Sequence, residues 1–149
     1  MPDAKLRGAI PAPARTRATR VVRVVDGDTV VLRRLGSSRL IGVDTAEVHG
    51  GRECYGREAS AFARRVLAPG SRVRYLPGAE PRDRYRRPLV YVWLADGRSF
   101  NAMLVEGGYA TTLTIPPNDR YADRLRRLAR EAKRRERGRW SDAGCRARA

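Results

Sequence analysis

Residues 21–43 contain the stretch VVRVVDGDTVVLRRLGSSRLIGV, whose β-branched runs and turn signals decide the fold. We predict three strands here, over Val21–Val25, Thr29–Leu35 and Arg39–Val43, because valine, isoleucine and threonine favour a pleated sheet. The Asp26-Gly27 pair is typical of a tight hairpin turn, and residues 36–38 (GSS) supply a second short turn. The stretch therefore predicts consecutive strands joined by short connections.

The chain after this stretch alternates helical and extended patterns. Apolar residues recur at helical spacing over residues 55–67 and about 119–137, and the second of these segments leaves a strongly basic outer face. Residues 72–76 and 88–94 are extended, and Asn101 can cap a short helix ending at residues 107–108. The fold class predicted is α+β, mainly a β-barrel: a five-stranded Greek-key barrel of the OB type with three packed helices.

The charge of the chain points to a polyanionic partner. The 149 residues suit a single domain, and 32 basic against 16 acidic side chains give a net charge of +16. Thirty of the basic residues are arginine, which binds phosphate with two parallel hydrogen bonds. Nucleic acid is therefore the first expectation. No apolar run approaches the ~18 residues of a membrane span.

Residue counts narrow the chemistry. His49 is the only histidine in the chain, which excludes a histidine-pair ribonuclease and a two-histidine zinc site. Two cysteines, Cys54 and Cys145, cannot complete a structural zinc site. Any catalysis must then depend on carboxylates and arginines, with or without a hard metal ion. We divide the chain into a disordered basic arm (1–19), one domain (20–142) and a tail (143–149).

Three short segments concentrate the groups that phosphodiester hydrolysis requires without histidine. They are DGDT at 26–29, RLIGVDTAE at 39–47 and DRYRR at 83–87. Such hydrolysis needs a carboxylate base, a metal that polarises the phosphoryl oxygen and cations that stabilise the transition state. Asp28 and Asp44 could supply oxygens to a hard cation. Taken singly, each has an ordinary alternative: Asp28 as a turn residue, Asp44-Thr45 as a turn or helix cap, and residues 80–87 as a solvated loop.

Taken together, these segments resemble the staphylococcal nuclease-like (thermonuclease) family. The order and spacing of six pieces match that family: VVDGDTV, RLIGVDTAE, CYGREA, DRYRR, NAMLVEGGYA and GRW. The resemblance covers about residues 20–142. It implies an OB-type barrel with three helices, in agreement with the strand and helix pattern. It also implies a calcium-dependent nuclease that cleaves DNA and RNA with little sequence preference and leaves 3′-phosphate ends.

The resemblance also implies a role for individual residues. The calcium ligands match Asp28, Asp44 and the backbone carbonyl of Thr45, and the general base matches Glu47. The phosphate-binding arginines of the transition state match Arg39 and Arg87. Arg84 and Tyr85 match positions that contact a terminal phosphate. The main alternative function is a catalytically inert OB-fold module that only binds nucleic acid, although such modules characteristically lack the carboxylates or arginines present here.

Three departures from the family pattern concern the site. Ala46 occupies a usual proline position, which we expect to loosen the loop from Asp44 to Glu47. Arg86 replaces a common glycine, so a backbone conformation with positive φ could be lost. Residues 111–116 (TTLTIP) lack the tyrosines of the type member's nucleotide pocket, and base stacking should be weaker.

The positions of the two cysteines indicate the cellular compartment in which the protein works. Cys54 lies just before the first predicted helix and Cys145 after Trp140, so they either form a disulfide that fixes the C-terminus or remain two thiols. A disulfide would imply export, and we expect a secreted or cell-envelope protein, with the cytoplasm not excluded. We expect a monomer that has DNA and RNA as partners and does not engage a membrane.

Overall fold

A computed structural model describes residues 5–47 and 54–145, and its centre is a closed barrel of five strands. The strands run in the order β1 (Arg17–Asp26), β2 (Thr29–Leu32), β3 (Gly36–Leu40), β6 (Pro88–Leu94) and β5 (Arg72–Arg82). β3 and β6 are parallel, and the other neighbours are antiparallel. The OB-type barrel predicted from sequence is confirmed. His49 lies outside the described residues.

Two further strands and three helices within the described ranges surround this barrel. β4 (Gly42–Asp44) pairs with β7 (Thr111–Leu113) as a separate two-stranded sheet. The helices are α1 (Gly56–Val66), α2 (Phe100–Glu106) and α3 (Ala122–Arg134). Alternating apolar residues of the strands fill the barrel and continue into the faces of the helices, so one core serves both layers. No helix in the described part of the chain has the length and apolar character of a membrane span.

The third predicted strand, Arg39–Val43, is divided in two at a glycine. Gly42 has φ +82°, and a Cβ added there would lie 2.5 Å from Leu125 Cδ1 of α3. Glycine permits both the positive φ and the close approach. The chain therefore leaves the barrel after Leu40 and forms β4 against β7, which the sequence pattern does not predict.

The N-terminal segment differs from the predicted disordered arm over residues 1–19. In the described part of this segment, Leu6 and Ile10 are buried in the core, and β1 begins at Arg17. Trp93 Nε1 donates a hydrogen bond to the Ile10 carbonyl (2.6 Å), and the backbone N–H of Arg7 donates to the buried Glu106 carboxylate. These partners are distant in sequence, so local composition does not indicate them.

The start of α2 is capped locally, and two long-range links, through Asn101 and through a disulfide, join the helices to the barrel and to the chain end. Ser99, rather than the predicted Asn101, caps α2 through its side chain. The Asn101 amide instead accepts from Val92 N and donates to the Ile41 carbonyl, both at 2.9 Å. Cys54 and Cys145 form a disulfide, which confirms the paired alternative.

Candidate active site

The Asp-Gly-Asp turn between β1 and β2 places Asp28 against the loop that follows β4. Asp28 is buried, and its Oδ2 accepts a hydrogen bond from the backbone N–H of Thr45 at 3.0 Å. Gly27 is packed so closely that a Cβ there would lie 2.8 Å from Thr45 Cγ2 and 2.9 Å from Ala59 Cβ. The turn and the loop after β4 are thus fixed to each other.

Arg39 gathers the carboxylates that the sequence singled out. Its Nη1 donates to the carbonyls of Leu40 (2.7 Å) and Val43 (2.9 Å), which orients the guanidinium at the end of β3. Its Nη2 lies 3.3 Å from both Asp28 Oδ2 and Asp44 Oδ1. The side chains of Arg39 and Asp28 are 15% and 10% exposed, so their charges interact with little solvent screening, whereas the Asp44 side chain is 54% exposed and its pair with Arg39 is more strongly screened.

Asp26 is a third carboxylate in this group, although its place in the Asp26-Gly27 turn does not single it out in the sequence. Burial, a side-chain hydrogen bond with Asp28 and the negative charge of Asp28 raise the pKa of Asp26 to about 6, although Arg39 opposes the shift. Its Oδ1 accepts from the backbone N–H of Asp28 at 3.1 Å. We call Asp26, Asp28, Arg39 and Asp44 the carboxylate cluster; one cation in it faces three acids.

The donor chemistry of the carboxylate cluster fits a hard divalent cation. Asp28 and Asp44 supply carboxylate oxygens, and the neighbouring Thr45 supplies a backbone carbonyl, which are the ligand types that calcium and magnesium prefer. Within residues 5–47 and 54–145, no group of three or more acidic, histidine or cysteine side chains is arranged to hold an ion. Water would therefore have to complete any coordination shell.

Glu47 follows the carboxylate cluster on an exposed stretch of loop. The backbone of this stretch is held by the start of α1, because a Cβ on Gly56 would lie 2.7 Å from the Glu47 carbonyl oxygen and 2.8 Å from that of Ala46. Gly56 thus allows α1 to pack directly on the loop. The loosening expected from Ala46 stays a prediction.

The loop between β5 and β6 is organised by Asp83, a second residue whose role is not evident from the sequence. Its Oδ1 accepts from the backbone N–H groups of Tyr85 (2.9 Å) and Arg87 (2.8 Å), and its Oδ2 accepts from Arg87 Nε (2.8 Å). Burial alone would raise the pKa of Asp83, but these hydrogen bonds outweigh it and hold the pKa below the ordinary value. We call residues 83–87 the Asp83 loop.

Arg86 retains the positive φ that the family pattern associates with glycine. Its φ is +67°, so the replacement by arginine has not removed this backbone conformation. The guanidiniums of Arg84 and Arg87 lie 4.9 Å and 5.9 Å from the centre of the Tyr85 ring, a side chain that is itself largely exposed. The Asp83 loop therefore presents two cations around one aromatic ring.

A cavity of about 570 Å³ brings the two regions together. Arg39 of the carboxylate cluster lines it, as do Arg84, Tyr85 and Arg87 of the Asp83 loop. Leu113 and Ile115 form an exposed aliphatic part of its wall, in the segment that lacks the tyrosines expected from the family pattern.

Four of the residues predicted for the site line this cavity: Arg39, Arg84, Tyr85 and Arg87. Asp28 and Asp44 contact Arg39, Thr45 bonds Asp28 through its backbone, and Glu47 is two residues further along the same loop.

Comparisons with known proteins show what the chain as a whole is similar to. Residues 37–142 match a family model described as Staphylococcal nuclease homologue. The chain is 39% identical over 126 residues to a thermonuclease of Staphylococcus intermedius, covering 80% of this chain and 74% of that protein. It is 35% identical over 135 residues to a thermonuclease of Staphylococcus hyicus, covering 87% and 79%. It is also similar to the Bacillus subtilis endonuclease YhcR, 32% over 157 residues, covering 94% of this chain and 13% of that protein.

Proposed function

Because the chain belongs to the staphylococcal nuclease family, we propose that it is a calcium-dependent nuclease that hydrolyses DNA and RNA without sequence preference and leaves 3′-phosphate ends. The family and the relatives named thermonuclease and endonuclease support nuclease activity. The metal, the products and the residue roles are our proposals. The observation that carries them is Arg39, which contacts Asp28 and Asp44 and lines the same cavity as Arg87.

Asp28, Asp44 and the Thr45 carbonyl would hold calcium, which when bound polarises a nonbridging phosphoryl oxygen. Arg84 and Tyr85 bind a terminal phosphate of the substrate at the outer part of the cavity. Arg39, fixed by two backbone carbonyls, and Arg87, held through Nε by Asp83, stabilise the negative charge that accumulates on the phosphoryl group. The orientation of both arginines before the reaction reduces the reorganisation that the transition state requires.

Glu47 acts as the general base. Its carboxylate accepts a proton from water, the water oxygen forms a bond to phosphorus, and the bond from phosphorus to the 5′ oxygen breaks. The departing 5′ oxygen takes a proton from solvent, and the phosphate stays on the 3′ side. Exposure of Glu47 suits this role, since the base must return its proton to solvent after each turnover.

A digestion experiment tests the proposal. Plasmid DNA and structured RNA are incubated with calcium, with magnesium and with EDTA. The 3′ ends of the products are then tested for ligation to an adaptor that carries a 5′ phosphate, before and after phosphatase treatment, with the phosphatase removed before the adaptor is added. We expect cleavage of both substrates with calcium, none with EDTA, and products that ligate only after the phosphatase removes a 3′ phosphate. Binding without cleavage under every divalent metal would replace the proposal by the inert binding module.

The compartment and assembly are part of the same proposal. The disulfide between Cys54 and Cys145 is typical of an oxidising compartment, which supports a secreted or cell-envelope protein. We also propose that the protein is a monomer. Titration of thiols under denaturing, non-reducing conditions in protein recovered from its native host tests the first point, and sedimentation tests the second.

A further inference from the structure

The outer face of α3 is the most densely basic helix surface in the described part of the chain. Ala122, Leu125 and Ala132 are buried against the rest of the domain. Arg124, Arg127 and Arg130 are exposed, and their spacing of three residues places them on successive turns, with about 4.5 Å of helix rise between neighbours. We call these three residues the α3 arginine stripe.

The charges of the α3 arginine stripe are not neutralised by neighbouring acids. Arg126 pairs with Asp123, and both Arg134 and Arg135 pair with Glu131. Arg124, Arg127 and Arg130 form no ion pair with any residue of the described ranges. Three uncompensated guanidiniums on one helix face repel one another, and an external polyanion would relieve that repulsion.

α3 is also adjacent to the cavity. Arg126 Nη2 donates to Thr114 Oγ1 at 3.3 Å, and Thr114 lies between Leu113 and Ile115, which line the cavity wall. Arg130 is one helical turn beyond Arg126 on the same side of α3. A strand that leaves the cavity over Leu113 and Ile115 would therefore meet Arg126 and then Arg130, from which the α3 arginine stripe continues across the outer face of the helix.

We propose that the α3 arginine stripe is a second nucleic-acid surface, which binds the phosphates of the substrate strand beyond the cavity. The inference rests on the proposed function, because it takes the cavity as the site of cleavage. A nucleic acid fits better than an anionic membrane, since the apolar residues of α3 are buried and cannot enter a lipid layer. The stripe gives the protein higher affinity for long substrates than for short ones.

The test compares two triple variants that remove equal charge. Arg124→Gln, Arg127→Gln and Arg130→Gln together remove the stripe, and glutamine preserves helix propensity. Arg17→Gln, Arg23→Gln and Arg33→Gln, on β1 and just after β2, form the matched control, because all three are exposed and α3 packs mainly on α2, β4 and β7 rather than on β1 or β2. Nucleic-acid binding by the parent and by both triple variants is measured in EDTA, which separates binding from cleavage. Circular dichroism verifies that the variants are folded.

The probes are a duplex of about 30 base pairs and a single strand of about three nucleotides, titrated at several salt concentrations. For the duplex, we expect the stripe variant to bind about tenfold or more weakly at low salt. The log–log salt slope should become shallower by about 2.7, because each phosphate that the stripe no longer neutralises reduces the slope by about 0.9. The short strand should bind both variants and the parent alike.

Three results would overturn the inference: equal weakening by both triple variants, no change in the salt slope, or a loss confined to binding of anionic phospholipid vesicles. The first would indicate a general effect of net charge and the last a membrane surface. Failure of the proposed function is distinguishable, because it would appear as a parent protein that binds the duplex in EDTA but never cleaves it with any divalent metal.

Discussion

The cavity is bordered by two arginines that the fold holds in opposite ways. Arg39 is 15% exposed and is bonded to two carbonyls and two carboxylates, whereas the Arg87 side chain is 39% exposed and is bonded through Nε to Asp83. Among the described residues, the terminal nitrogens of Arg87 have no hydrogen-bond partner. Arg39 is therefore rigidly held and its own charge is compensated by the acids of the carboxylate cluster, whereas the Asp83 loop keeps arginine donors available for substrate.

Loss of the base should produce the largest effect and separate chemistry from binding. Glu47→Gln preserves the size of the side chain and removes proton acceptance, so we expect kcat to fall ~10²–10⁴-fold with little change in affinity. The measurement is single-turnover cleavage beside binding of a nonhydrolysable oligonucleotide. Cleavage at the parent rate would refute the assignment of Glu47 as base.

The disulfide should support the carboxylate side of the cavity more than the Asp83 loop. Cys54 lies two residues before Gly56, which packs on the carbonyls of Ala46 and Glu47, and its partner is 91 residues away. Replacing both cysteines by serine should lower the free energy of unfolding by ~3–4 kcal/mol, because a long loop is no longer closed in the unfolded chain. Urea denaturation measures this, and an unchanged midpoint would contradict it.

Replacing Arg39 or Arg87 by alanine tests directly whether the fold holds the two arginines differently. Arg39→Ala leaves the Asp28 and Asp44 carboxylates without their shared cation, so stability should fall by ~2–3 kcal/mol in addition to the loss of activity. Arg87→Ala should reduce kcat by ~10²–10³-fold yet cost less than ~1 kcal/mol of stability, since its ion pair is substantially exposed. Thermal unfolding measures the stability of both variants, and steady-state kinetics measures their kcat. Equal destabilisation would show that the two arginines are held alike.

Asp83 should act as a positioning residue for Arg87. Asp83→Asn removes the charge that holds Arg87 Nε, and we expect kcat to fall about tenfold while KM stays close to that of the parent. Asp96→Asn is the matched control, because Asp96 accepts from the backbone N–H and Nε of Arg98 in the same way, at 3.1 Å and 3.0 Å, in a turn outside this cavity. A similar loss in both variants would indicate a merely structural role.

Local sequence patterns were sufficient to predict most of the fold. β-Branched runs, the Asp26-Gly27 turn and helical periodicity predicted most of the barrel strands and the three helices, because each signal lies within a few residues of the element it specifies. The turn predicted at residues 36–38 was wrong: the chain turns at residues 33–35, and residues 36–38 belong to β3. The pairing of β4 with β7 and the burial of Leu6 and Ile10 were not predicted. Their partners are distant in sequence, and a three-residue strand has no periodicity to detect.

For the site, the sequence indicated the residues with an expected chemical role but not those that position them. Asp26 and Asp83 resemble ordinary turn residues, and their importance depends on which N–H groups and charges the fold brings to them. One signal for Asp83 was present: an aspartate four residues before an arginine in a turn can accept from that arginine's side chain and backbone together. The residue roles themselves stay predictions.

The smallest expected effect concerns the backbone of the Asp83 loop. Arg86 has φ +67°, which costs an L-residue about 1 kcal/mol, and glycine would relieve that strain. Glycine also gains about 0.5–1 kcal/mol of conformational entropy in the unfolded chain, so the two contributions nearly cancel. We expect Arg86→Gly to raise stability by no more than about 0.5 kcal/mol.

The neighbouring residue provides the control that isolates this strain. Arg84 lies in the same loop without a positive φ, so Arg84→Gly should incur the entropic cost alone and lower stability by about 0.5–1 kcal/mol. The difference between the two variants, about 1 kcal/mol in chemical denaturation, measures the strain at Arg86. Equal stabilities would mean that the loop relaxes around arginine. The Asp83 loop would then be less constrained than its hydrogen bonds indicate, which widens its contrast with the carboxylate cluster.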